Sequence, residues 1–348
     1  MTLETSFERV EYALEHPFTI ARGTQETAEN VIVRFEDEDG TVGIGGAAPS
    51  SHYGETPATV EAVLPALLDV VETVDDPHQL DRIEAGMDRV VTDNPAAKAA
   101  VDIALHDLVA KRADLPLYRY LGLDPADSLE TSYTIGIDDP ATMREKTTDA
   151  VERGFSTLKV KVGTERDREN LAAVREAAPE ATIRVDANEG WSPREAVRNI
   201  EMLAEFDVEF VEQPVPAEHP EGLRYVYEHS PLPIAVDESL IEASDVPAVA
   251  DRADVANLKL MKTGGIREAI RLIHAARAHG MEVMAGCMIE SNASIAGAAH
   301  LVPLLDYVDI DGSLLLESDD FEGVPIDEGT VDLAALDRPG TGARVPTR

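Results

Sequence analysis

The chain holds a single cysteine, Cys287, in 348 residues, which rules out an internal disulfide and suits a reducing compartment. It has no apolar run of the length that a membrane span needs. Its first residues, MTLETSFERVEYALEHPFTI, carry neither the basic start nor the apolar stretch of a secretory signal. These absences predict a soluble, cytoplasmic protein that does not engage membranes. Basic residues are also scarce: 30 Lys+Arg face 67 Asp+Glu, a formal net charge of -37. Such a surface repels the nucleic-acid backbone, so no nucleic-acid partner is expected.

The acidic residues are spread along every segment, as in DEDG at 37–40 and ESDDFE at 317–322, and so describe a solvated surface. Uniform acidity with few lysines resembles the proteins of salt-loving organisms, in which high ionic strength screens self-repulsion. Lysine is so rare that its positions carry information. The seven are Lys98, Lys111, Lys146, Lys159, Lys161, Lys259 and Lys262.

With 44% hydrophobic residues the chain can build a sizeable core. From about residue 131, β-rich runs recur at a spacing near 25 residues: 132–136, 156–162, 182–187, 208–213, 233–238, 255–261, 281–286 and 306–312. Helical patterns lie between them. Ser192-Pro193-Arg194-Glu195 reads as a capping box, and 266–280 has apolar residues at helical spacing and ends on Gly280. Eight strands alternating with helices predict an α/β fold with a closed parallel TIM-type barrel. Residues 1–123 place strands first and helices at 57–73, 79–90 and 95–113, the order of a separate α+β domain. The barrel is expected over 124–317. Residues 318–348 lack a further βα unit and are expected to return to the first domain.

In such barrels functional groups sit at the C-terminal ends of the strands. The third, fourth and fifth strands end in Asp186, Glu212 and Asp237. Three carboxylates brought together this way repel one another unless a cation sits among them. Oxygen-only ligands suit a hard ion, and Mg²⁺ is the expected cofactor. Four of the seven lysines lie at the ends of the second and sixth strands, on opposite sides of the barrel. Alternation sends Lys159 and Lys161 to one face. A carboxylate substrate held by the metal would then have Lys161 on one side of its α-carbon and Lys259 on the other. Removing the α-proton makes an enediolate, which a divalent cation and a flanking lysine stabilise. The charge of Lys159 and the metal would disfavour protonation of Lys161. A base on one face and an acid on the other inverts the stereocentre.

KVK at 159–161, VDAN at 185–188, VEQP at 211–214, VDES at 236–239 and NLKLMKTGG at 257–265 together resemble the enolase superfamily, muconate-lactonizing subgroup, over essentially the whole chain. The resemblance implies a (β/α)7β modified barrel with an N-terminal α+β capping domain completed by the C-terminal segment. Within the subgroup the chain looks most like the dipeptide epimerases of the L-Ala-D/L-Glu type. By that resemblance Lys161 and Lys259 are the acid/base pair, Lys159 supports the enediolate, and Asp186, Glu212 and Asp237 bind Mg²⁺. Asp309 and Asp311 of DIDG match the aspartates that hold a substrate's free α-ammonium, although ordinary acidic surface would read the same. Thr134 on the first barrel strand, with Met288 and Glu290 in GCMIES at 286–291, completes the expected substrate contacts. Arg22 in FTIARGT at 18–24 falls on the loop that closes over the mouth; it either pairs with a substrate carboxylate or is a plain strand-edge arginine. YGET at 53–56 falls on the second capping loop.

Muconate cycloisomerisation, o-succinylbenzoate synthesis and N-acylamino-acid racemisation share the metal and lysines, but their substrates have no free ammonium for DIDG to balance. A non-catalytic metal-binding barrel would need no basic pair at its mouth. The expected partner is a small carboxylate or dipeptide, and assembly into a homo-oligomer is compatible with the sequence. The charge excess carries its own prediction: the melting temperature rises between dilute buffer and molar salt, and an unchanged value contradicts it.

Overall fold

A computed structural model describes residues 3–126 and 128–346. The chain opens with β1 (Glu4–Ile20), β2 (Gly23–Glu36) and β3 (Val42–Ala47), an antiparallel sheet in that order. Alternation along β2 buries Val31, Val33 and Phe35 against α1 (Pro57–Val74), α2 (Leu80–Val90) and α3 (Pro95–Arg112), while Ile32 faces the other way, toward Phe321 and Ala293. The long helix α3 is alanine-rich and almost wholly buried, so β3 can run directly across it. Gly45 shows how close they come, because a Cβ there would lie 2.1 Å from the Ala100 carbonyl oxygen. A short turn, α4 (Leu117–Tyr120), leads toward the barrel.

Eight parallel strands follow in sequence order: β4 (Tyr133–Ile135), β5 (Thr157–Lys161), β6 (Thr182–Asp186), β7 (Val208–Glu212), β8 (Ile234–Val236), β9 (Val255–Leu258), β10 (Glu282–Gly286) and β11 (Tyr307–Asp309). The ring closes where Ser132 N donates to Val308 O at 3.1 Å and Thr131 bridges to Val308. Outside the strands lie α5 (Pro140–Glu152), α6 (Asp167–Ala177), α7 (Pro193–Leu203), α8 (Pro220–His229), α9 (Val246–Val249), α10 (Leu260–Thr263), α11 (Ile266–Ala278) and α12 (Asn292–Ala299). Among the described residues no α-helix follows β11, so the barrel has the (β/α)7β form. In α7, Glu195 reaches back to accept from Ser192 N at 3.0 Å, with Pro193 opening the helix.

Some strands depart in extent from the sequence reading for local reasons. β1 and β2 run on into a long hairpin whose tip overhangs the mouth, pinned where Ile137 N donates to Thr19 O at 2.8 Å. Strand pairing shifts between Ala13 and Phe18, which aims this overhang. β9 stops at Leu258, because residues 260–263 turn helical before Gly264 and Gly265, both at positive φ. Asp237 likewise lies one residue beyond β8.

The C-terminal segment closes on the first domain through Asp107, which is fully buried in α3. It accepts from Ile44 N (2.8 Å), Lys111 Nζ (2.6 Å), Thr341 N (2.7 Å) and Thr341 Oγ1 (3.0 Å). One carboxylate thus joins sheet, helix and C-terminal segment. Asp107→Ala strands a cation and two backbone donors, and denaturant unfolding is expected to show a loss of about 3–5 kcal/mol. A loss below about 1 kcal/mol, the size of a surface ion pair, contradicts this role.

Candidate active site

Every strand of the arc from β5 to β9 delivers a charged side chain to the mouth. Lys159 and Lys161 both point inward from β5, two residues apart, as strand alternation requires. Asp186, Glu212 and Asp237 arrive from the ends of the next three strands, and none has any solvent exposure. Lys259 follows β9 on the far side.

The groups pair closely. Lys161 Nζ donates to Asp186 Oδ2 at 2.6 Å, and Lys259 Nζ to Asp237 Oδ2 at 2.7 Å. Lys159 Nζ lies 2.7 Å from Glu212 Oε2, 2.7 Å from Asp309 Oδ2 and 3.1 Å from Asp186 Oδ2. Burial alone would neutralise these carboxylates, but Lys161 and Lys159 hold Asp186 well below the usual range, and Lys259 and Lys262 do the same for Asp237. Burial drags the ammonium groups down in turn, yet Asp309, Glu212 and Asp186 leave Lys159 well above its ordinary value, and Asp237 raises Lys259. Glu212 is pushed up, by burial and then by Asp186.

The donor set fits a hard divalent cation. All three side chains offer carboxylate oxygen, and Glu212 Oε2, although in ionic contact with Lys159, accepts no hydrogen bond. Their oxygens are turned onto the lysines and not onto a common point. Among the described residues, the ligand atoms within 4.8 Å of one another are those of His52, Glu189 and Glu238. That group already has a cation: Arg22 Nη1 lies 2.7 Å from Glu238 and 3.1 Å from Glu189.

Arg22 therefore clasps the hairpin tip to the barrel, with Asn188 O as a further acceptor at 3.1 Å. Glu238 is driven up to about 7, first by burial and then by Asp237 and Asp186, against the opposing pull of Lys259 and of Arg22, whose Nη1 lies 2.7 Å away. Asp309 accepts from Ser132 Oγ as well as Lys159. Asp311 Oδ2 accepts from Thr134 N at 2.6 Å, and burial followed by Asp309 pushes it up to about 7. Thr134, Met288, Asp309, Asp311 and the three lysines border a cavity of about 750 Å³ under Arg22 and Tyr53. Glu290 stands behind that wall. One of its oxygens accepts from Met288 N at 2.9 Å and the other from Ser294 Oγ, so it braces the loop.

Sequence reasoning passed over Lys262, Asn257 and Glu238. Lys262 is buried, and its Nζ donates to Asp237 Oδ1 (2.6 Å), Asp237 O (2.7 Å), Leu240 O (2.9 Å) and Asn257 O (3.0 Å), which fixes the Asp237 loop. Asn257 Nδ2 orients Glu212 through Oε1 at 2.7 Å. The signal was available: Lys262 is one of seven lysines, and both Lys262 and Asn257 lie inside the NLKLMKTGG segment.

Two family models account for nearly the whole chain. The mandelate racemase / muconate lactonizing enzyme N-terminal domain matches residues 3–122, and the enolase C-terminal domain-like model matches 142–347. An L-Ala-D/L-Glu epimerase from Bacteroides thetaiotaomicron is 40% identical over 342 residues, covering 98% of this chain and 87% of the relative. A hydrophobic dipeptide epimerase from Enterococcus faecalis is 40% identical over 88% of each chain. The crystal structure of an Enterococcus faecalis dipeptide epimerase, complexed with Mg and L-Leu-L-Tyr, superposes with a TM-score of 0.91 at 36% identity and covers 99% of both chains.

The Arg22 clasp is directly testable. In Arg22→Ala the hairpin tip loses its hold on Glu238 and Glu189, and chymotrypsin is expected to cut after Phe18 faster than in the wild type, with little change in melting temperature. An unchanged cleavage rate contradicts the clasp.

Proposed function

The chain belongs to the mandelate racemase / muconate lactonizing enzyme family of the enolase superfamily and is a Mg²⁺-dependent dipeptide epimerase; we propose that it inverts the α-carbon of the C-terminal residue by proton transfer between Lys161 and Lys259. The observation that carries this reading is the pair of lysines on β5 and just past β9, with three carboxylate-bearing strands between them.

Asp186, Glu212 and Asp237 are the residues that would hold the metal. When bound, Mg²⁺ supplies charge stabilisation to the substrate carboxylate as the α-proton leaves. Were Asp186 and Asp237 to hold the metal, Lys161 and Lys259 would no longer be bound to them and would face the cavity that they border. Lys161 then takes the proton from one face while Lys259 returns one to the other, and the reverse reaction exchanges their roles. Lys159, two residues before Lys161 on β5 and beside Glu212 and Asp309, balances the negative charge that develops on the carboxylate.

Asp309 and Asp311 would receive the substrate's free α-ammonium. Asp311 is buried beside another carboxylate, and a cation arriving there favours its ionised form. Fixing both ends of the dipeptide holds the second α-carbon between the lysines, which is the positional part of catalysis. The reaction proposed here belongs in the cytoplasm, where the free thiol of Cys287 needs no oxidised partner.

Chiral chromatography of L,L-dipeptides incubated with enzyme and Mg²⁺ tests the reading. Epimerisation is expected to stop in excess chelator and to resume when Mg²⁺ is restored; full activity in chelator contradicts the metal assignment. Asp311→Asn is expected to lower kcat/KM for dipeptides by about thirtyfold or more, since a buried charge partner is worth about 2 kcal/mol or more, while sparing N-acylated amino acids. N-acyl substrates turning over as well as dipeptides, unaffected by Asp311→Asn, would favour the racemase alternative.

A further inference from the structure

Beside the catalytic cavity lies a second chamber of about 340 Å³, between the β1 end of the hairpin, β4 and α5. Phe18, Thr134 and Leu315 border both spaces, so the two adjoin along these residues. Thr134 is also the residue whose backbone N–H holds Asp311 Oδ2 at 2.6 Å. The chamber thus begins next to the aspartates assigned above to the substrate ammonium. We infer that it is the subsite for the side chain of the dipeptide's first residue, and that it selects a long side chain with a cationic rather than an anionic tip.

This inference rests on the dipeptide reading and specifies its substrate class. The atom that carries the ammonium is the first residue's α-carbon, so that residue's side chain leaves from a point beside Thr134. Phe18 and Leu315, which border both spaces, give the chamber an apolar part together with Pro17. Three carboxylates, Glu15, Asp149 and Glu152, two cations, Lys146 and Arg153, and His16 border the chamber but not the catalytic cavity. Both cations are already engaged. Arg153 lies over the Tyr133 ring at 4.9 Å, donates to Tyr133 Oη at 3.1 Å and faces Glu15 at 4.0 Å, and Lys146 pairs with Asp138 at 3.3 Å. Asp149 and Glu152 make no ion pair among the described residues. A methylene stem on the apolar part would carry an ammonium or guanidinium tip to these two free carboxylates, whereas a substrate carboxylate would meet like charge. The volume lies within the range of small-molecule sites, so a side chain of lysine length fits inside it.

The test keeps the second residue constant: initial rates are measured with Mg²⁺ for L-Ala-L-Ala, L-Met-L-Ala, L-Glu-L-Ala and L-Lys-L-Ala. The expected order in kcat/KM is Lys above Met above Ala, with Glu below Met. Lys and Ala should differ at least tenfold, chiefly through KM. In the double variant Asp149→Asn, Glu152→Gln, the Lys advantage over Met is expected to vanish while L-Ala-L-Ala is processed as before. Both positions are exposed and lie outside the catalytic residues. Equal rates for Ala, Met and Lys, or a double variant that slows all four substrates alike, overturns the subsite and leaves the epimerase reading standing. Turnover of none of the four overturns the epimerase reading, and the subsite with it.

Discussion

Like charge confined without water governs this molecule. Asp186, Glu212 and Asp237 are brought together by three adjacent strands and have no exposure at all. Left unbalanced, they would be protonated or would unfold the mouth. Four of the seven lysines lie at this one place, on a chain that makes its basic surface mainly from arginine. In the proposed reaction, the carboxylates that hold ammonium groups at 2.6 to 2.7 Å would exchange them for a divalent cation and leave the lysines free on either side of a bound substrate.

The rest of the fold keeps that arrangement in register. Closure of β11 onto the chain before β4 brings Asp309 within reach of Lys159, and one ion pair at 2.7 Å joins the second and last barrel strands. The hairpin of the first domain places Arg22 on Glu238, and its helix α3 anchors the C-terminal segment through Asp107. Lys262 does for the Asp237 loop what Asn257 does for Glu212, holding a carboxylate whose direction the strand alone would not fix.

Much of this was legible in the sequence, because barrel geometry turns strand ends into a list of mouth residues. The recurring strands predicted the closed barrel, and the scarcity of lysine exposed Lys159, Lys161 and Lys259. What was not legible depended on side-chain direction across long sequence distances. Glu290 looked like a substrate contact, but Ser294 and the Met288 amide claim both its oxygens. Arg22 could be read as a group for the substrate, and only the folded hairpin brings it onto Glu238, 216 residues away. The strand boundaries at Leu258 and Val236 were set by the turns that follow, and periodicity does not see those.

Two lysines acting from opposite faces of one carbon are the centre of the proposed reaction. The most direct measurement is solvent exchange in D₂O, with each epimer of a dipeptide offered separately to Lys161→Ala and Lys259→Ala. Neither variant should invert the centre, and each should exchange the α-hydrogen of only one epimer, the opposite one in the two proteins. Exchange of both epimers by one variant, or continued inversion in either, would contradict the two-face assignment.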